Sequence, residues 1–125
     1  METALWIAQI LLGLVFLLAG FLHGTRPVAS LAPQMPWTAA VPLPLLRLIG
    51  VAEALGGLAV ILALPAGQPW LAALAAAGLA LVMLLAAGFH AARREYPGIG
   101  VNLVLGALAA FVAYGRFALL PAWTV

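Results

Sequence analysis

The chain has 125 residues, 67% of them hydrophobic and 6% charged, with five arginines, no lysine, three acidic residues and no cysteine. Soluble domains carry about 25% charged residues, so this composition excludes a water-soluble globule, and five scattered arginines do not make the clustered basic stripe that nucleic acid requires. The absence of cysteine excludes disulfides, thiol redox chemistry, thiolate metal sites and iron–sulfur clusters. With a mean hydropathy of +1.24, the chain reads as a single-domain integral membrane protein, all-α, with room for about four spans of ~20 residues each.

Four apolar runs follow one another: Ala4–Leu22, Leu43–Leu64, Trp70–His90 and Ile99–Leu120. Each is long enough for a helix rising ~1.5 Å per residue to cross the hydrocarbon. None has the alternation of a barrel strand. The first run lacks a basic leader and a small-x-small cleavage site, so it is expected to remain as a helix rather than act as a signal peptide. Its Gln9, Gly13, Phe16, Gly20 and Gly24 are spaced by four, three, four and four residues and form one helical stripe.

The connection 23–42 is the longest and contains Pro27, Pro33, Pro36 and Pro42, with Pro44 just beyond. So much proline excludes a regular helix running through it. Its Val28, Leu31, Met35, Trp37 and Val41 suit a segment lying in the interface, either as a plain connector or as a lid over a site on that side.

Glu53 lies in the second run, about ten residues or ~15 Å from its start and near the midplane. The other acidic residues, Glu2 and Glu95, lie outside the apolar runs. An ionisable group at that depth costs upwards of ~3 kcal/mol and faces a protein interior where it has a partner or a task. Gly50 and Gly57 flank Glu53 at i−3 and i+4, so its face is one that a neighbouring helix approaches closely. Arg47 is six residues away and about 120° around the helix, so it does not stack on Glu53. It is free to pair with Glu95 or with Glu53 of a neighbouring chain, or to snorkel to head groups.

Pro65-Ala-Gly-Gln-Pro69 is a tight turn into the third run, where Met83, Ala86 and His90 share a face. The charged segment Ala91–Gly98 leads to the fourth run, where Asn102, Gly106, Ala109, Ala113 and Arg116 form another stripe. These stripes read first as helix packing, and Gln9 and Asn102 as interhelical hydrogen bonds of ~1 kcal/mol.

Arg26, Arg47, Arg93 and Arg94 fall on one side and Arg116 on the other. The positive-inside rule then puts the long loop in the cytoplasm and both termini outside. Trp6, Trp70 and Trp123 cluster toward the outer ends and Trp37 toward the inner one, as in aromatic belts.

The segments Phe16-Leu-Leu-Ala-Gly-Phe-Leu-His-Gly, Arg47-Leu-Ile-Gly-Val-Ala-Glu-Ala-Leu-Gly-Gly-Leu and Gly88-Phe-His-Ala-Ala-Arg-Arg-Glu resemble the DoxX-like family of small four-helix membrane proteins. The resemblance covers nearly the whole chain. Where that family often carries a lysine after the first helix, this chain has His23. The resemblance implies a four-transmembrane-helix bundle in the bacterial inner membrane. It also implies similarity to subunits linked to quinone-dependent sulfur oxidation and to membrane oxidoreductase assemblies, and distantly to chaperones of membrane proteins.

Two classes of function follow. In one, the bundle holds a small lipophilic molecule of quinone or isoprenoid type. Glu53 and His90 are then the candidate catalytic groups, and His23, Arg47, Asn102 and Gln9 the candidate ligand-binding residues. A buried carboxyl is a sound general acid or proton relay, and an isomerase or hydratase of an apolar substrate is a variant of this reading. Haem is disfavoured, since both histidines sit at helix ends, and no metal site is expected. In the other class the protein is a non-catalytic subunit or assembly factor whose glycine stripes dock partner helices. A ligand site predicts a cavity beside Glu53 lined from at least three helices, and an assembly factor predicts tight packing there. Four short helices bury little surface against one another, which allows a homodimer, a homotrimer or a membrane partner protein.

Overall fold

The computed structural model describes residues 2–119; Trp123 and the expected last residue of the fourth run, Leu120, lie outside them. The elements in order are α1 (Glu2–Thr25), a single helical turn α2 (Val28–Leu31), a 3-10 turn (Pro36–Ala39), α3 (Leu43–Leu62), α4 (Pro69–Ala92) and α5 (Tyr96–Tyr114), which continues into a π-helical turn, Gly115–Leu119. The fold is all-α, with no strand among the described residues. Four helices, α1, α3, α4 and α5, are long and apolar enough to cross a membrane.

The helices differ from the apolar runs mainly at their ends. α1 carries on three residues past Leu22, so His23 lies in its last turn rather than in the loop. α5 starts three residues before Ile99, because Pro97 sits in its first turn, where a missing N–H costs nothing. α3 stops at Leu62, and the chain turns through Gly67 at φ 76° before α4 begins at Pro69. In the long connection the prolines start short turns: Pro27 precedes α2, and Pro36 opens the 3-10 turn.

The tightest pairing is α1 against α3. A Cβ on Gly20 would come 2.6 Å from the Gly50 carbonyl oxygen, and one on Gly50 would come 2.6 Å from Gly24 Cα. Backbone cannot yield at that separation, so only glycine allows these helices to meet as they do. α4 packs along α5, and the two pairs join through α3–α4 and α1–α5. Between them lies a core of Leu12, Phe16, Val60, Ala76, Leu79, Met83, Ala109 and Val112. The outward faces carry exposed Leu18, Leu48, Leu55, Leu84, Leu85 and Val104. An apolar exterior around an equally apolar core is the arrangement that suits lipid rather than water.

Candidate functional site

Glu53 is buried on α3, 5% exposed, on the face that Gly50 and Gly57 present to α1. The register set by those glycines places it beside the last turn of α1. His23 Nδ1 there lies 2.6 Å from Glu53 Oε1. The hydrogen bond between them is what makes burial of both side chains tolerable in an apolar bundle. His23 Nε2 is buried as well and has no hydrogen-bond partner among the described residues.

Among the described residues Arg47 binds backbone rather than Glu95, which pairs with His90 and Arg93. Arg47 Nη1 donates to the carbonyls of His23 at 3.0 Å and Arg26 at 2.7 Å. These belong to the C-terminal end of α1, where carbonyls lack intrahelical donors and a cation opposes the negative end of the helix dipole. Arg47 therefore fixes the position of the helix end that carries His23.

His90, in the last turn of α4, belongs to a second pair of the same kind, with Nδ1 3.0 Å from Glu95 Oε1. Arg93 Nε donates to the same oxygen at 2.9 Å. This arrangement follows from how α4 ends. Arg94 takes a left-handed φ of 57°, its N–H returns to Ala91 O, and the Glu95 N–H returns to His90 O at 2.9 Å, the double return that closes many helices, normally with glycine at the left-handed position. The returning chain carries the Glu95 carboxylate under both His90 and Arg93. The Arg93 hydrogen bond, more than that of His90, holds the Glu95 pKa below the ordinary carboxylate value. Gly98 in the first turn of α5 makes room for the imidazole, since a Cβ there would meet the His90 ring at 2.9 Å.

Between the two histidines stands Trp37 of the long connection. Its ring contacts His23 edge-on at 5.0 Å and His90 edge-on at 6.2 Å. Thr38 and Leu31 on either side are buried, so the connection folds inward over this end of the bundle. The sequence placed Trp37 in an interfacial belt; nothing in its local pattern signals contact with two distant histidines.

A cleft of about 320 Å³ lies beside Glu53, lined by Ile49, Ala52, Glu53 and Gly56 of α3 and by Ala75, Gly78, Leu79 and Val82 of α4. Its rim residues Ala52 and Gly78 are exposed on the outer surface of the bundle, so the cleft opens sideways. It draws on two helices rather than the three expected of a ligand site, because the glycine contact with α1 leaves no space on the other side of α3. α1 contributes His23, behind Glu53.

Asn102 is buried on α5, but its Nδ2 has no acceptor among the described residues, so the expected interhelical bond from it is not made. Gln9 makes its interhelical bond, donating to Val60 O at 2.9 Å, far from Glu53. It belongs to another cluster near the start of α1. There Gln9 Oε1 accepts from Arg116 Nε, and Arg116 Nη1 lies 2.5 Å from Glu2 Oε1. Arg116 also sits over the Trp6 ring, 5.4 Å from its centroid. In the sequence Arg116 lies at the end of a helical stripe, and nothing in its spacing connects it to Glu2 or Gln9. No group of three or more His, Cys, Asp or Glu among the described residues is arranged to hold a metal ion.

The model of the DoxX-like family matches residues 7–112. No curated protein and no solved structure matches the chain.

Proposed function

The chain belongs to the DoxX-like family, and from that premise we propose that it binds a lipophilic molecule, of quinone or isoprenoid type, in the cleft between α3 and α4 and serves a membrane oxidoreductase system. One observation carries the reading: the cleft wall is apolar except for Glu53, which is hydrogen-bonded from behind by His23. Ligand pockets typically combine an apolar lining with a few placed polar groups that fix orientation. A side opening toward lipid suits a ligand that arrives through the bilayer, with its apolar part along Ala75, Gly78 and Val82 and its polar end at Glu53. The carboxyl is the hydrogen-bond anchor and proton donor, and His23 is its proton partner. The same pair would supply the proton chemistry that an isomerase or hydratase of an apolar substrate needs. The arginine distribution supports a cytoplasmic position for the long connection and extracytoplasmic termini.

The test is to purify the protein in mild detergent and analyse its organic extract by mass spectrometry. A stoichiometric lipophile is expected, absent from Glu53→Gln and from Gly78→Phe. A Cβ at Gly78 meets nothing within 4 Å, so a bulky side chain can be placed at the cleft rim without breaking a helix contact at that atom. An empty extract, with a partner helix captured along Ala52 and Gly78 by crosslinking, would overturn this reading in favour of an assembly factor.

A further inference from the structure

Two imidazole–carboxylate pairs stand at the same end of the bundle, and one tryptophan separates them. The inner pair, His23–Glu53, borders the cleft; the outer pair, His90–Glu95, lies at the α4–α5 turn beside Arg93. In both pairs the histidine uses Nδ1 toward its carboxylate, which leaves Nε2 for another partner. For His23 that Nε2 is buried and unpartnered among the described residues. An unmet polar group in such a place carries a desolvation penalty, and a nitrogen that periodically receives a proton is one reason to retain it. Trp37 touches both rings edge-on, and indole, having only a donor N–H, cannot itself pass a proton on.

We propose that these two pairs form a proton relay between the water at the α4–α5 turn and Glu53, with Trp37 as its gate. The relay supplies Glu53 with the proton it would use in the cleft, and in that respect it rests on the reading above. The closed position is the one in the structure. When Trp37 swings aside and admits water, imidazolium at His90 releases a proton through that water to His23 Nε2 and becomes neutral. His23 is then protonated on both nitrogens and passes its Nδ1 proton to Glu53 Oε1. One proton enters at Nε2 and one leaves at Nδ1, so His23 ends neutral with Glu53 as a carboxylic acid. Hydronium at the turn reprotonates His90, and Glu95 stabilises the imidazolium. Arg47 bonds backbone carbonyls and Arg93 bonds Glu95, so these two guanidinium groups hold the ends of the relay in place without taking up protons.

Because the chain has two histidines, isotope-labelled histidine gives a two-residue spectrum in which exchange of the His23 ring protons with water can be measured directly. The measurement is made on full-length protein stripped of ligand, so its outcome does not depend on what the cleft holds. His90→Gln is expected to slow exchange at His23 by ~100-fold, the lower end of what a positioned proton donor contributes. Should that variant not fold, Glu95→Gln, which leaves the ring in place, is expected to slow it in the same direction. Trp37→Ala is expected to accelerate it roughly tenfold, since two edge-on ring contacts hold the gate shut. Unchanged exchange in the His90 or Glu95 variant overturns the relay, and unchanged exchange in Trp37→Ala overturns the gate. A working relay in a protein whose extract proves empty would leave this inference standing and remove the ligand reading.

Discussion

The bundle buries a polar cluster at each end, and the two are built from different chemistry. At the loop end, Glu53 meets His23: both side chains are buried, and an open cleft runs beside Glu53. At the other end, Arg116 is 1% exposed and always charged, and its partner Glu2 is 55% exposed at the very start of α1. Gln9 bridges Arg116 to the Val60 carbonyl, so this cluster ties α1, α3 and α5 together. A guanidinium cannot give up its proton in a protein, and a bond network across three helices fixes geometry. An imidazole–carboxylate pair can exchange a proton without changing its net charge. Depth alone therefore does not distinguish the two clusters; what borders them and the chemistry of their side chains do.

The sharpest way to break this contrast is through the glycines. Gly50→Val forces a side chain against the Gly20 and Gly24 backbone and is expected to cost ~3 kcal/mol or more, the upper range of overpacking. It should separate His23 from Glu53 and lower the melting midpoint in detergent sharply. Gly115→Ala at the other end meets the outer atoms of the Leu5 side chain first rather than backbone, and should cost less. Equal losses would mean that the α1–α3 glycine contact is not what positions the inner pair.

Next in size, Arg116→Met leaves the buried Gln9 oxygen without its donor and is expected to cost about 1–3 kcal/mol, read as a lower melting midpoint. Lipophile content in the organic extract should not change. Loss of the lipophile in this variant would join the two ends and dissolve the contrast.

Glu53→Gln should reverse that pattern. The amide can still accept from His23, so the stability change stays below about 1 kcal/mol, while the extracted ligand is lost. A large fall in the melting midpoint with ligand retained would make Glu53 a structural residue like Arg116.

The smallest effect is expected at the outer pair. The Glu95 pKa lies below its ordinary value, chiefly through Arg93, so its folded-state pKa is lower than its unfolded one. Its contribution is then present above the unfolded pKa and lost as pH falls through the lowered folded value. The difference in melting midpoint between the wild type and Glu95→Gln should be flat near neutrality and shrink only at acid pH. A difference that grew toward acid pH would contradict the sign.

The sequence by itself determined that the chain is a four-helix membrane bundle of the DoxX-like family, because span length and composition are local properties and lipid tolerates few alternatives. It also located Glu53, since a lone carboxyl in an apolar run with glycines at i−3 and i+4 can be read from spacing on one helix. The stripe through Gln9 and Gly20 was legible for the same reason. Only the tertiary structure decided the partners. The meeting of His23 with Glu53 depends on the α1–α3 register, which is set by backbone contact between glycines and leaves no periodic mark. Trp37 reaches both histidines because a proline-punctuated connection folds inward, and short turns of that kind carry little pattern. Arg116 finds Glu2 and Gln9 through closure of the bundle between its first and last helices, more than a hundred residues apart in the chain. Depth and chemistry are written along each helix, whereas proximity between helices arises only when they pack.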